Sequence, residues 1–485
     1  MRQIAGKVHP ANALIVLLLM TAATASVAQA QQPVAHGYKS RMKTADTKIT
    51  AALQQVSAAQ LRSTVEKLAA FRTRNTISSS APAANSIGAA RTWIKAQFER
   101  YSEACGGCLE VKTDSFLQSL SPRIPQPTEI VNIYAVLRGS DPQNAGLIYV
   151  VTGHYDSRGS DVLDPQAPAP GANDDASGTA VSLECARVLS KQKFPATIIF
   201  LAVAGEEQGL YGSQHFAAMA RQQGWNIAGV LSNDIVGGDR SAGQDASIVR
   251  VFSEGIPITL VQPPSVAGSP AVPQTEDALK QIARIRQLGA ESDSPSRQLA
   301  RYVRETAQQY LPGSFGPKLV FRPDRYLRGG DQISFNEQGF AAVRFTDYRE
   351  NYAHQHQNPR EENSIEYGDL PKFVDYGYLA NVARLNVATL AALASAPAPP
   401  VNVRIETKEL ENDSTMAWDP SPGGLASGYE VLWRPTTSAE WNNVEPVGNV
   451  TRATLQRSKD NVIFAIRAVD AKGHRSLPVL PAPER

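Results

Sequence analysis

The 485-residue sequence has only three cysteines, and beyond its first thirty residues it has no apolar run of membrane-spanning length. It also lacks any block of like charge, since 48 Lys and Arg stand against 46 Asp and Glu. A bilayer span needs about 20 consecutive apolar residues, so no transmembrane anchor is expected. Without a basic block, neither nucleic acid nor an anionic membrane surface is an expected partner. No internal repeat is visible. At 42% hydrophobic and 19% charged residues the composition is globular, and the length predicts two or three domains.

The amino end is different. Arg2 and Lys7 precede the apolar stretch Ala13–Met20, and "AQA" ends at Ala30. This pattern predicts a secretory signal over residues 1–30, cleaved between Ala30 and Gln31. The product would be secreted or periplasmic. Losing Arg2 and Lys7 brings the formal charge from +2 to 0. Export bears on the cysteines. Cys105 and Cys108 flank a Gly-Gly pair with no thioredoxin-like context, so a local disulfide is expected. Cys185 shares a helical stripe with Val181 and Val188 and reads as a buried thiol.

Amphipathic helices are predicted at 58–71 and 88–101, then apolar strands at 129–137, 147–151, 196–203 and 229–235. Helices at 177–191 and 211–223 fall between them, with further helices at 276–287, 296–310 and 378–394 and a strand at 341–347. Strands such as "ATIIFLAV" are apolar on both faces, as strands covered by helices on both sides must be. The expected fold is a three-layer αβα sandwich around a central mixed, largely parallel sheet. A Pro/Ala linker, Ala394–Val401, ends this region. Beyond it, period-2 alternation predicts a small all-β sandwich whose order of aromatic strands resembles a fibronectin type III domain. The expected division is residues 1–30, 31–395 and 396–485.

Histidines and carboxylates gather just past the ends of the predicted core strands. His154 and Asp156 follow one, Glu206 and Glu207 another, and Asp234 ends a third. "NDDASG" adds Asp174 and Asp175 before a helix, and "ENYAHQHQNPREEN" adds His354 and His356. Strand carboxyl ends form the crevice of an open α/β sheet, so these residues converge. Alone, each has an ordinary reading: a helix cap, a turn or a solvated face. Together, with no Lys or Arg beside them in sequence, they repel one another unless a divalent cation is present. Imidazole plus carboxylate without cysteine fits zinc. Two cations about 3.5–4 Å apart share a carboxylate and need further ligands each. His154, Asp174, Glu207, Asp234 and one loop histidine meet that count.

The ordered set HYD, GANDDASG, GEEQGLYGS, SND and HQHQNP resembles the secreted di-zinc aminopeptidase family, which also includes glutamate carboxypeptidase-type enzymes and glutaminyl cyclases. The resemblance covers roughly residues 50–395. It implies two zinc ions per chain bridged by Asp174, with Glu207 and a loop histidine on one, and His154 and Asp234 on the other. It also implies Asp156 as the residue orienting His154 and Glu206 as general base. In an extended loop His354 and His356 point the same way. The family pattern, with its ligand just before a proline-containing segment, favours His356. "GGDQISF" departs from the pattern, with Gln332 where relatives often carry histidine. The expected activity is removal of amino-terminal residues from peptides or small proteins. The alternatives are a carboxypeptidase, a one-zinc glutaminyl cyclase, and a non-catalytic adhesion module. Because every candidate ligand precedes the linker, residues beyond it are expected to be dispensable for chemistry.

Overall fold

The computed structural model describes residues 45–82, 85–241, 243–261, 275–313 and 315–484. The expected signal segment, residues 1–30, lies outside the described residues. Eight strands form the main sheet: β1 (Leu109–Gln118), β2 (Thr128–Leu137), β3 (Leu147–His154), β4 (Thr197–Val203), β5 (Asn226–Asn233), β6 (Ile248–Ser253), β7 (Gly316–Val320) and β8 (Ala342–Asp347). Their order is β1-β2-β4-β3-β5-β8-β6-β7. The centre is parallel (β4–β3, β3–β5, β5–β8), as is β6–β7 at the far edge. The β1–β2, β2–β4 and β6–β8 pairs are antiparallel.

Both faces of this sheet are covered, and β4 shows how. Ile198, Phe200 and Ala202 join the core on one face, while Ile199, Leu201 and Val203 join the core on the other. The first core is shared with the helices Thr47–Gln55, Ala58–Ala69, Ile87–Ala104, Ala176–Leu189, Pro295–Tyr310 and Tyr376–Ser395. The second is shared with Tyr211–Gln222 and Asp331–Glu337. The result is the mixed α/β sandwich expected from the two-sided apolar strands. Among the described residues no helix is long and apolar enough to cross a membrane.

Past the helix ending at Ser395 the chain forms two further sheets. One orders Arg452–Leu455, Ser414–Asp419, Val401–Glu406 and Ala482–Glu484. The other orders Asn443–Gly448, Gly428–Pro435 and Val462–Val469. Their inner faces meet around Met416, Trp418, Tyr429, Val431, Phe464 and Ile466. This region docks on the helix Pro295–Tyr310 and the residues just before it through buried and partly buried polar contacts. Arg434 reaches Asp293 at 2.7 Å, Arg467 reaches Glu305 at 2.7 Å, and Trp441 Nε1 donates to Gln298 at 3.0 Å. Arg434, Asp293 and Arg467 are all buried. Arg301 also pairs with Asp293 at 2.9 Å and Glu430 with Arg467 at 2.7 Å, so the charges form a shared network. These contacts concern how the carboxyl-terminal region is held to the main sandwich, whereas the expectation that it is dispensable for chemistry concerns the candidate ligands, all of which precede it.

Candidate metal centre

The parallel register of the central strands brings their carboxyl ends together. His154 is the last residue of β3 and pairs in register with Val203 of β4. Gly205, with φ of 76°, turns the chain out of β4 into the helical turn Glu206–Gly209. Asp234 follows β5 directly. The helix Ala176–Leu189 starts hard against these ends. A Cβ on Gly153 would lie 2.3 Å from the Gly178 carbonyl carbon, and one on Gly178 would lie 2.0 Å from the Asn233 carbonyl oxygen. No other residue fits at either position, so "ASG" sets how closely the Asp174 segment approaches the strands.

Asp174 sits between two imidazoles. Its Oδ1 is 3.2 Å from His154 Nε2, and its Oδ2 is 2.9 Å from His356 Nε2. Glu207 Oε1 lies 3.2 Å from the same His356 nitrogen, and Asp234 Oδ1 lies 3.9 Å from His154 Nε2. Two clusters result. The candidate ligand atoms of Asp174, Glu207 and His356 lie within 4.8 Å of one another, as do those of His154, Glu206 and Asp234. The adjacent glutamates therefore serve different clusters. His154 Nε2 and Glu207 Oε1 are buried and accept or donate no hydrogen bond. Buried polar atoms are ordinarily satisfied, so this donor set of imidazoles and carboxylates fits divalent cations.

The electrostatics agree. Burial works against a protonated His356, yet Glu207 and Asp174 push its pKa up to about 11. Burial likewise opposes the charge on His154, and Asp156, Asp174 and Asp234 override it, holding the imidazole well above its ordinary value. Burial would raise the Asp174 carboxyl, but His356 and His154 hold it well below the usual range. Burial also pushes Glu206 well up, with Asp234, Glu207 and Asp331 adding to the effect and His154 opposing it. Without a cation, the surrounding carboxylates favour protons on the two imidazoles. A cation that replaces them must release them.

The residues around the clusters fix their geometry. Asp156 accepts from the Glu206 and Glu207 amides at 3.4 and 3.2 Å and from Thr76 Oγ1 at 2.9 Å, and its Oδ1 lies 3.4 Å from His154 Nδ1. One carboxylate thus ties both clusters to one frame. Asp175 plays a different part from its neighbour, accepting from the His154 amide at 3.0 Å and capping the helix through Gly178 N at 2.8 Å. Asp369 accepts from the Asn173 and Asp174 amides, at 2.8 and 2.7 Å. Arg74, wholly buried, donates to the carbonyls of Leu68, Tyr155, Pro170 and Gly171, clamping the loop that returns to Asp174. Thr76 and Asp369 were not visible in the sequence, since nothing local marks them.

Two expectations are corrected. No Lys or Arg adjoins the carboxylates in sequence, but Arg344 in β8 lies 2.8 Å from Asp234 Oδ2 and is fully buried. The loop carrying the two histidines is not extended. Residues 352–356 form turns, with His356 at φ 55°, so the two side chains diverge. His354 stacks on Phe373 with ring centroids 3.7 Å apart and pairs with Asp239, and it belongs to neither cluster. Gln332 donates to Asp324 Oδ2 at 2.6 Å. Elsewhere, Cys105 and Cys108 form a disulfide and Cys185 is a buried free thiol.

Residues 132–247 match the model of peptidase family M28. The chain is 43% identical over 441 residues to a "probable zinc metalloprotease" of Pyrenophora teres f. teres, covering 90% of this chain and 87% of that protein. A second "probable zinc metalloprotease", from Leptosphaeria maculans, is 42% identical over 441 residues, covering 90% of this chain and 97% of the relative. Among solved structures, the LapA aminopeptidase of Legionella pneumophila aligns with a TM-score of 0.48 at 20% identity, covering 72% of this chain and 75% of that one. With such identity sustained along most of both relatives, the chain belongs to peptidase family M28.

Proposed function

We propose that the protein is a secreted di-zinc exopeptidase, an aminopeptidase acting on peptides. The observation that carries this reading is Asp174, whose two oxygens face two different imidazoles at 3.2 and 2.9 Å. In this reading Asp174 would be shared by two zinc ions, which His154 and Asp234 on one side and Glu207 and His356 on the other would hold. When bound, the ions supply Lewis acidity toward a peptide carbonyl and lower the pKa of water. Glu206 takes a proton from the attacking water as the new C–O bond forms. It returns that proton to the departing amine as the C–N bond breaks. Asp156 positions this base through its backbone amide and holds His154 at Nδ1. Residues 31–395 would form the catalytic domain. Residues 396–485 would form the linker and a fibronectin type III-like domain, a reading that the two facing sheets support.

One observation favours a second reading. Arg344 at 2.8 Å already neutralises part of Asp234, which weakens the site that it shares with His154 and is compatible with a one-zinc glutaminyl cyclase. Assay of amino-terminal chromogenic amides beside blocked, carboxyl-terminal and amino-terminal glutaminyl substrates separates the readings. Turnover confined to free amino-terminal amides supports the proposal. Turnover confined to carboxyl-terminal substrates, or release of pyroglutamyl product alone, contradicts it.

A further inference from the structure

The clusters open into a cleft of about 420 Å³ whose wall includes Arg123, Arg158, Arg325 and Arg328. Two of these guanidiniums are committed. Arg325 pairs with Asp324 at 2.9 Å and with Glu350 at 3.0 Å, and Arg328 pairs with Glu350 at 2.7 Å. The other two are not. Arg123 donates to the Glu207 carbonyl at 2.8 Å. Arg158 donates to the Gly159 and Ser160 carbonyls at 3.1 and 3.0 Å. Among the described residues neither has a carboxylate within ion-pair distance. A guanidinium carries five N–H donors in a planar fork that matches a carboxylate, so most of the donors on both remain available.

We infer that Arg123 and Arg158 form a carboxylate-binding subsite of this cleft, which selects peptides carrying an anionic group close to the scissile bond. The inference rests on reading the centre as a peptidase site. With cations in place, the carboxylates at the base of the cleft are neutralised, and the two unpaired arginines leave the entrance positive. A free carboxylate gains charge-assisted contacts to such a guanidinium, which an amide of the same shape does not. The Arg123 contact to the Glu207 carbonyl ties the subsite to the turn that carries the proposed base, so substrate seated on Arg123 is held beside Glu206. Two sources could supply the carboxylate: the α-carboxylate of a very short peptide, or an acidic side chain.

The test uses the zinc-loaded, full-length Glu206→Gln protein, so that peptides bind uncleaved. Calorimetric affinities are measured for Ala-Leu against Ala-Leu-amide and for Ala-Glu-amide against Ala-Gln-amide. The acid member of at least one pair should bind about tenfold tighter or more, and which pair does so identifies the source. Arg123→Gln and Arg158→Gln, each added to that background, should reduce the preference while zinc content stays unchanged, which excludes a collapsed site. Equal binding of acid and amide in both pairs overturns the inference, as does no measurable binding of any peptide or a preference that survives both substitutions. Hydrolysis of the same four peptides by the unsubstituted protein tests the peptidase reading separately. If it cleaves none while the acid preference holds, the subsite stands and the peptidase reading falls.

Discussion

Glu206 and Glu207 are sequence neighbours with different surroundings, and substitution should separate them. Glu206→Gln is expected to keep bound zinc and to lose turnover by about 10²–10⁴-fold, the usual cost of a missing general base. Glu207→Gln is expected to lose zinc, because its Oε1 faces His356 at 3.2 Å. Metal analysis alongside turnover decides the assignment, and the reverse pattern would exchange the two roles. The loop histidines separate in the same way. His356→Ala should cost zinc, whereas His354→Ala should not, since that ring is engaged by Phe373 and Asp239. Sequence alone brought forward His154, Asp156, Glu206, Glu207 and Asp234 because each lies at or just past the end of an apolar strand and strand ends converge, while Asp174 stood before a helix and gained its bridging role from the family resemblance. It could not bring forward Arg344. Inside "AAVRFTD" an arginine looks like an interruption of a core strand, and only the β5–β8 pairing places it beside Asp234.

At the scale of elements, the closest approach in the fold is where the helix Ala176–Leu189 meets the strand ends. Gly178→Ala would place a methyl group 2.0 Å from the Asn233 carbonyl oxygen. Overpacking of this kind costs about 1–3 kcal/mol, and here the displaced backbone carries Asp174 and Asp234. Chemical unfolding should show that loss, together with weakened zinc binding. Unchanged stability and metal content would mean that the approach is looser than described. Strands with apolar residues on both faces were legible because the pattern and the burial coincide, as β4 and β8 show. β1 was not, since it lies at the sheet edge with most of its residues partly or fully exposed and carries no apolar run. β6 and β7 escaped because they are short and separated by a long, polar and proline-containing stretch.

For the whole molecule, the carboxyl-terminal sheets and the main sandwich are joined by charges. Truncation after residue 397 removes Arg434 and Arg467 from Asp293 and Glu305. Their contacts with the main sandwich are lost, so the truncated chain should melt earlier, even though every candidate ligand remains. A truncated chain of unchanged melting temperature would contradict this. A second tie is pH-sensitive. His474 lies between Asp46 at 2.9 Å and Asp470 at 2.8 Å. Burial opposes its protonation, but the two carboxylates raise its folded-state pKa above the ordinary value of 6.5. The tie therefore contributes fully below about pH 6.5, where the unfolded imidazole is also protonated, and fades as pH rises through the raised folded value. His474→Gln should lower stability more at pH 5.5 than at pH 9, measured by urea unfolding. An equal loss at both would remove the charge from the argument. This interface was illegible beforehand, because arginines and glutamates on alternating strands look the same whether they face solvent or a partner surface.

The central claim is that one carboxylate, Asp174, organises two metal ions. Zinc stoichiometry of the purified chain and of its Asp174→Asn variant, after dialysis against buffer of fixed free zinc, tests it most directly. The account predicts two zinc ions per chain for the unsubstituted protein and a loss from both sites in the variant, because each oxygen faces a different cluster. Two tightly held zinc ions in Asp174→Asn would contradict it.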